Sequence, residues 1–440
     1  MSLMFSISGL RGIVDKDLTP DLIFKYAAVF AEYLKPGKIV IGRDARKSGM
    51  NFRKAVIQGL NSEGCTVIDL GIVPTPTVLF MVRRLKTKGG IAITASHNPV
   101  QWNALKFISQ KGQFLNQREF KIFSKYVDRK MIIKQREKKT DMVRLFPNGV
   151  DNHIEKIIST LKLKVKGFKI GVDAVNGAGS IGLPRVLEEI GCKVYRMNCK
   201  FSPHFPRGPE PIPENIRGLC RFVKEKKLDM GFACDPDCDR LSIVDENGRA
   251  IGEENTLVLA TDFILNRTKG NVVTNLSTST LMDYITKKYN CKLYRINVGE
   301  ANVVSKMKKT NAIIGGEGNG GVIYPRINFT RDALVGAAII VKLLSERNKK
   351  ISEIIALYPR YYMVKKKMKI SKERFEKREE NIIKAFKGKR NFLDGLRIST
   401  KDYWLHIRPS KTEPLVRIIG EARSKRQIEE YIKKIKSILR

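Results

Sequence analysis

What most constrains this chain is a rhythm. Apolar runs of strand length alternate with segments of helical period through about residue 350. Such alternation marks βα units, each adding a strand to a mainly parallel sheet, so the expected fold class is α/β. Four of the apolar runs pass straight into loops rich in Gly, Asp, Asn or Pro: KIVIGRDAR (38–46), GGIAITASHNP (89–99), MGFACDPDCDR (230–240) and NAIIGGEGNGG (311–321). In open α/β sheets ligands bind beyond the carboxyl ends of the strands. Chemistry is therefore expected on these loops, and three of them should share one cleft.

The pattern also divides the chain. The strand in KVKGFKIGVDAVNGAG (164–179) restarts it after a charged, amphipathic stretch around 118–160, which sets a boundary near residue 150. A strand pair around GFACDPDCDRLSIVDENGRAI turns at DENG (245–248), and the helical EENTLVLATDFIL after it opens a third unit near residue 250. A helix over 333–344 leads to the alternating, basic YPRYYMVKKKMKI, and KERFEKREENIIKAFKGK reads as an exposed helix. A smaller α+β domain should end the chain. The three larger units are weakly alike, about 100 residues apart.

Length agrees with this division, because single cores stop growing at about 250–300 residues and a chain of 440 should form several. With 42% hydrophobic and 8% aromatic residues, neither disorder nor a collagen-like repeat nor a coiled coil is the main architecture. The best apolar run, 333–341, is stopped by Lys342, so no membrane span is expected. The N-terminal residues carry no secretory pattern, and seven scattered cysteines fit a reducing compartment, so a cytoplasmic location is expected. The net charge of +39, from 83 Lys and Arg against 44 Asp and Glu, suits either attraction of anions or a Lys-rich solvated surface. The dense runs KQREKKT (134–140) and KKKMK (365–369) lack interleaved aromatics, which favours the solvated surface and the expectation of no nucleic-acid partner.

Individual loops suggest particular chemistry. Asp235, Asp237 and Asp239 in DPDCDR alternate after an apolar strand and offer several hard oxygen ligands in a short span, as Mg²⁺ demands. Unpaired, such carboxylates repel one another and are costly without a cation or Arg240 beside them, which weighs against the alternative of a polar strand end with turn-forming aspartates. Cys234 and Cys238 have no complementary Cys or His set at zinc-finger spacing. TASHNP puts Ser96 at a strand end before His97 and Asn98, where a hydroxyl can enter a cleft and act as a covalent carrier. Alone, the segment is as readily a turn in which Ser and Asn satisfy backbone groups.

RPSKTEP sets Arg408, Ser410 and Thr412 on alternate positions with Lys411 between them, a set suited to phosphate or to an exposed turn. GGEGNGG offers close backbone approach and one acceptor, Glu317, able to take two vicinal sugar hydroxyls, or is merely flexible. Arg11 in SGLRG and Lys106 in WNALKF are each either site cations or surface cations. His153, His204 and His406 show no mutual spacing that suggests a metal site or a triad, and read as structural or surface residues.

Taken together, TASHNP, DPDCDR, GGEGNGG and RPSKTEP, in this order, closely resemble the α-D-phosphohexomutase superfamily, as do SGLRG, VDAVNGAG and FPRGPEPIPEN (205–215). The resemblance implies three related α/β domains with mixed, mainly parallel sheets and a smaller C-terminal α+β domain around a central cleft, over 1–148, 149–248, 249–350 and 360–440. It implies a phosphorylated Ser96, Mg²⁺ on Ser96, Asp235, Asp237 and Asp239, and a sugar 1,6-bisphosphate activator. Catalysis would fall to Ser96, Lys106, Arg11, Arg240 and His97, with Lys106 as general acid/base. Substrate would be held by Glu317, Asn319, Arg408, Ser410, Lys411 and Thr412. The partners implied are hexose or hexosamine phosphates, and the hinge of the last domain would lie near 345–365.

Where the phosphomannomutase/phosphoglucomutase branch commonly has Gly-Glu-x-Ser-Gly-His, this chain has Asn319 and Gly321 at the last Ser and His positions. GEGNGG, the RDAL at 331–334 and the WLHIRPS approach look more like archaeal-type phosphoglucosamine mutases. The expected reaction is therefore glucosamine 6-phosphate to glucosamine 1-phosphate, a step towards UDP-N-acetylglucosamine. Phosphomannomutase/phosphoglucomutase activity is the alternative, and a non-catalytic nucleic-acid-binding protein is the rival from another class.

Overall fold

A computed structural model describes residues 3–130, 142–165, 167–410 and 415–440, in two compact units: Met1–Phe263 with Asn319–Ser352, and Ile264–Gly318 with Glu353–Arg440.

The first unit opens with an eight-stranded sheet. Its parallel block runs Gly89–Ile93, Lys38–Arg43, Thr66–Ile72, Val143–Leu145, and it continues on the other side through antiparallel Trp102–Ser109, Gly9–Ile13 and Met4–Ser6. The first helix, Pro20–Leu34, starts where its sequence dictates. Thr19 accepts from the Leu22 amide, and Pro20, which has no N–H to satisfy, takes the first turn. Phe30, Phe107 and Phe123 meet at centroid distances of 4.8 to 5.2 Å and close the core between helices and sheet.

A second sheet in this unit is ordered Lys193–Met197, Lys169–Asp173, Met230–Cys234, Leu241–Val244, parallel except for the last pair. The turn at 245–248 is present, with the Gly248 amide donating to the Asp245 carbonyl. The segment expected to be helical over 333–344 is the helix Ala333–Arg347, whose N-terminus Asp332 caps by accepting from the Leu334 and Val335 amides. A cap of this kind stabilises by about 1 kcal/mol. Among the described residues no helix is long and apolar enough to cross a membrane.

The second unit contains the parallel strands Leu293–Ile296, Val272–Asn275 and Ile314–Glu317. It also holds a five-stranded antiparallel sheet ordered Tyr362–Lys369, Leu415–Ala422, Tyr403–Pro409, Leu396–Ser399, Lys389–Asn391. Helices Lys372–Ala385 and Lys425–Leu439 bury Phe375, Ile382, Ile428, Ile432 and Ile435 in the core of this sheet. Lys365, Lys366 and Lys367 on its edge strand are exposed, and the basic run 134–140 lies outside the described residues. Charged edge strands resist pairing with other chains.

Candidate active site

Three of the loops singled out in the sequence meet in the first unit. Strand Gly89–Ile93 ends one residue before Thr94, whose hydroxyl donates to Asp44 Oδ2 at 2.7 Å and accepts from the Ser96 amide at 2.9 Å. Ser96 sits at φ 50°, the left-handed region that a non-glycine residue enters only when its surroundings hold it there. The principal holder is Arg46, 1% exposed. Its Nη2 donates to the Ser96 and Asn98 carbonyls, both at 2.7 Å, and its Nη1 to those of Pro99 and Trp102 at 2.7 and 3.0 Å. Nε donates to Asp44 Oδ2 at 3.0 Å, so all five guanidinium donors are used.

The aspartate loop follows strand Met230–Cys234. Arg207, from the FPRGPEPIPEN segment, fixes its start by donating to Asp173 Oδ2 and to the Cys234 carbonyl at 2.9 and 2.8 Å. Asp235 Oδ1 accepts the amides of Asp239 and Arg240, and the Ser96 hydroxyl donates to Asp235 Oδ2 at 2.7 Å. Asp237 Oδ2 accepts from Thr75 Oγ1 at 2.8 Å and from Lys106 Nζ at 2.6 Å. Arg331 Nη2 donates to Asp239 Oδ2 at 2.5 Å.

The three carboxylates are at most 1% exposed, and their ligand oxygens lie within 4.8 Å of one another. Oδ1 of Asp237 and of Asp239 are buried with no hydrogen-bond partner. Buried anionic oxygens left without donors are costly unless a cation takes them, and a set of hard oxygens at this spacing suits Mg²⁺. The donor set therefore fits the ion. Burial, together with the charges of Asp239 and Asp237, pushes Asp235 well above the ordinary carboxylate range. Burial would raise Asp237 as well, but the Lys106 ammonium and the hydrogen bonds from Asp235, Lys106 and Thr75 hold it below that range.

The remaining expected cations lie around the same place. Arg11 Nη1 donates to Asn98 Oδ1 at 2.7 Å, and Arg240 Nη1 to Glu210 Oε1 at 2.7 Å. His97 Nδ1 is 3.4 Å from Ser96 Oγ. Burial, then the charges of Arg240, Arg11 and Arg331, push His97 well below its ordinary value, so the ring is neutral near pH 7. Ser96, His97, Lys106, Arg11, Arg240 and the three aspartates are thus brought together.

Glu317, in the second unit, is buried and accepts the Asn275 side-chain amide and the Gly299 backbone amide, both at 2.9 Å through Oε1. Asn319, in the first unit, has a buried Oδ1 with no hydrogen-bond partner. Its neighbour Gly320 has φ 86° and must be glycine, because a Cβ there would stand 2.3 Å from the Leu241 carbonyl oxygen. Arg408 Nε is 3.7 Å from Asp394 Oδ2, and the Ser410 amide donates to the Leu415 carbonyl. Lys411 and Thr412 lie outside the described residues.

Sequence reasoning did not single out Asp44, Arg46, Thr75, Arg207, Glu210 or Arg331. The segments KIVIGRDAR, FPRGPEPIPEN and RDAL carried a signal for five of them, and Thr75 had none. His153 and His406 are structural, as expected: both are buried, His153 against Thr77 Oγ1 at 3.0 Å and His406 against Ser277 Oγ at 2.8 Å.

The descriptions of the four phosphoglucomutase/phosphomannomutase domains match this chain in order: domain I over residues 2–131, II over 151–248, III over 252–361 and the C-terminal domain over 363–438. A phosphoglucomutase/phosphomannomutase of Thermococcus kodakarensis is 36% identical over 98% of this chain and 97% of its own length. The chain belongs to this family. Another phosphohexomutase relative, a phosphoglucosamine/phosphogalactosamine mutase of Sulfurisphaera tokodaii, is 31% identical over 100% of this chain and 99% of its own. In fold, the chain resembles a phosphoglucomutase/phosphomannomutase family protein from Burkholderia thailandensis, with a TM-score of 0.85 at 24% identity over 99% and 98% of the two chains.

Proposed function

We propose that this phosphohexomutase interconverts glucosamine 6-phosphate and glucosamine 1-phosphate through a phosphorylated Ser96 and a sugar 1,6-bisphosphate. The observation that carries the reading is the Ser96 hydroxyl 2.7 Å from Asp235, inside a buried three-carboxylate cluster whose second member holds Lys106 at 2.6 Å. A nucleophilic oxygen, a cation site and a proton carrier are thereby within reach of one phosphoryl group.

Phosphorylated Ser96 gives its phosphoryl group to a hydroxyl of the bound sugar phosphate. The bond from Ser96 Oγ to phosphorus breaks as Oγ takes a proton from the Lys106 ammonium, a bond from the sugar oxygen forms, and the sugar hydroxyl's proton passes to the resulting amine. The bisphosphate then presents its other phosphate to Ser96, which is rephosphorylated as the isomeric monophosphate leaves. Arg11 and Arg240 hold the moving charge, and neutral His97 donates or accepts a hydrogen bond at the serine oxygen. Mg²⁺ bound by Asp235, Asp237, Asp239 and the Ser96 phosphate would neutralise charge on the transferring group. Glu317 and Asn319 would take sugar hydroxyls, and Arg408, Ser410, Lys411 and Thr412 the phosphate that is not transferred. This assigns the serine loop to a domain of residues 1–148, the aspartate loop to 149–248, the sugar loop to 249–350 and the phosphate loop to 360–440.

The glucosamine preference is supported by GEGNGG and RDAL and by the name of the Sulfurisphaera relative. The name of the Thermococcus relative favours glucose or mannose phosphates as the second reading. The deciding experiment is ³¹P NMR of the protein with Mg²⁺ and a bisphosphate activator, offered glucosamine, glucose and mannose 6-phosphates separately. Fastest conversion of glucosamine 6-phosphate is expected. Faster conversion of either hexose phosphate moves the assignment to the second reading, and no conversion of any sugar phosphate overturns both.

A further inference from the structure

Arg331 reaches Asp239 from the loop that precedes helix Ala333–Arg347, with 11% of its side chain exposed against 1% for Asp239. On the way its aliphatic part crosses residue 321. A Cβ built on Gly321 would stand 2.2 Å from Arg331 Cδ and 2.7 Å from Arg331 Cγ, closer than carbon atoms approach. Gly321 is not among the residues with positive φ, so its backbone alone would tolerate any side chain, and what it needs is space.

Arg331 cannot swing aside cheaply. The next amide, of Asp332, donates to the Val322 carbonyl at 2.9 Å, and that of Ala333 to the Cys238 carbonyl at 3.3 Å. The Asp332 carboxylate is itself committed to the helix cap. The backbone on that side of Arg331 is therefore pinned, while its guanidinium is pinned on Asp239.

The consequence falls on the carboxylate cluster. By engaging Oδ2 of Asp239, Arg331 leaves Oδ1 as the oxygen without a hydrogen-bond partner, with Arg240 Nε 3.7 Å away. A carboxylate with one oxygen held by a short charge-assisted hydrogen bond is restrained in its orientation, and so is the direction in which its other oxygen faces. We infer that Arg331 is the positioning residue of Asp239 as a metal ligand, and that residue 321 is glycine because Arg331 occupies the volume its side chain would fill. The inference rests on reading the three aspartates as a cation site and is independent of which sugar phosphate is the substrate.

The test is a double-mutant cycle on the full chain, read by Mn²⁺ affinity from the electron paramagnetic resonance signal of the free ion and by the thermal unfolding midpoint. Gly321→Ala and Arg331→Ala should each weaken Mn²⁺ binding by about tenfold or more, the range typical of partners that orient a metal ligand. The double variant should bind Mn²⁺ as Arg331→Ala does, not with the product of the two losses, since both changes remove one arrangement. It should also unfold at a higher temperature than Gly321→Ala, because the clash is gone. Multiplying losses, or Mn²⁺ affinity within twofold of the parent in Arg331→Ala, would overturn the inference. If Arg331→Ala does not fold, Gly321→Ala decides alone, and unchanged affinity there is equally fatal. Absence of Mn²⁺ binding by the parent protein removes this inference together with the metal reading. A chain that passes the cycle yet converts no sugar phosphate leaves the inference standing and overturns only the proposed activity.

Discussion

Arg46 and Asp44 form an ion pair with both side chains at 0% exposure, Nε to Oδ2 at 3.0 Å, and the remaining guanidinium donors are spent on four carbonyls of the loop that carries Ser96. Burial pushes Asp44 upward, and the Arg46 charge, the Thr94 hydroxyl and the Arg46 amide oppose that rise. The pair therefore costs desolvation and returns a fixed geometry at Ser96.

Arg46→Met should destabilise the chain on the order of 3–5 kcal/mol, because it strands a buried carboxylate and four carbonyls at once. Arg46→Lys should recover little of this, since an ammonium has no planar fork to bridge the carbonyls. Urea unfolding of the three proteins measures both, and near-parental stability of Arg46→Lys would show that charge alone holds the loop.

Ser96→Ala should lose several orders of magnitude in turnover while keeping the parental circular dichroism and unfolding midpoint, since the side chain lost is small and its one donated bond ends on Asp235, whose other oxygen keeps the Asp239 and Arg240 amides. Incubation with a ³²P-labelled sugar bisphosphate should label the parent and not the variant. Equal labelling would place the phosphoryl carrier elsewhere.

The aspartate cluster predicts a response to metal that does not depend on substrate. Three buried carboxylates with two oxygens lacking donors repel until a cation binds, so Mg²⁺ should raise the unfolding midpoint. At a hundredfold excess over its dissociation constant the gain is about 2.7 kcal/mol. Asp237→Asn should reduce that rise, and EDTA should abolish turnover until Mg²⁺ or Mn²⁺ is restored. An unfolding midpoint indifferent to Mg²⁺ would refute the site.

Much of this site was legible because its chemistry is local in sequence: Ser96 and the three aspartates follow apolar strands within single loops. What escaped depends on topology. Arg46 bonds Ser96 across 50 residues, Arg331 bonds Asp239 across 92, and Thr75 bonds Asp237 across 162, separations that no local pattern records. The same holds for the sheet. Trp102–Ser109 is buried on both faces, so it lacks the alternation that would have announced an antiparallel return after the serine loop, and the three residues Val143–Leu145 are too few to interrupt the amphipathic reading of 118–160.

His406 supplies a pH test of the second unit. Its Nε2 lies 2.6 Å from the Asp394 carbonyl, which can only accept, so Nε2 carries the proton and Nδ1 accepts from Ser277 Oγ at 2.8 Å. Burial lowers its pKa from 6.5 to about 4, despite the opposing pull of Asp394. Between those values the unfolded chain binds a proton that the folded chain does not, so stability falls as the pH drops from 6.5 towards 4, and this residue has no effect above that window. The full difference corresponds to roughly 3 kcal/mol. His406→Gln, with an amide that can donate where Nε2–H does, should therefore show a flatter dependence of unfolding free energy on pH across that window. Comparing the two proteins cancels every other titrating group. Parallel curves would mean that folding does not shift the proton affinity of His406.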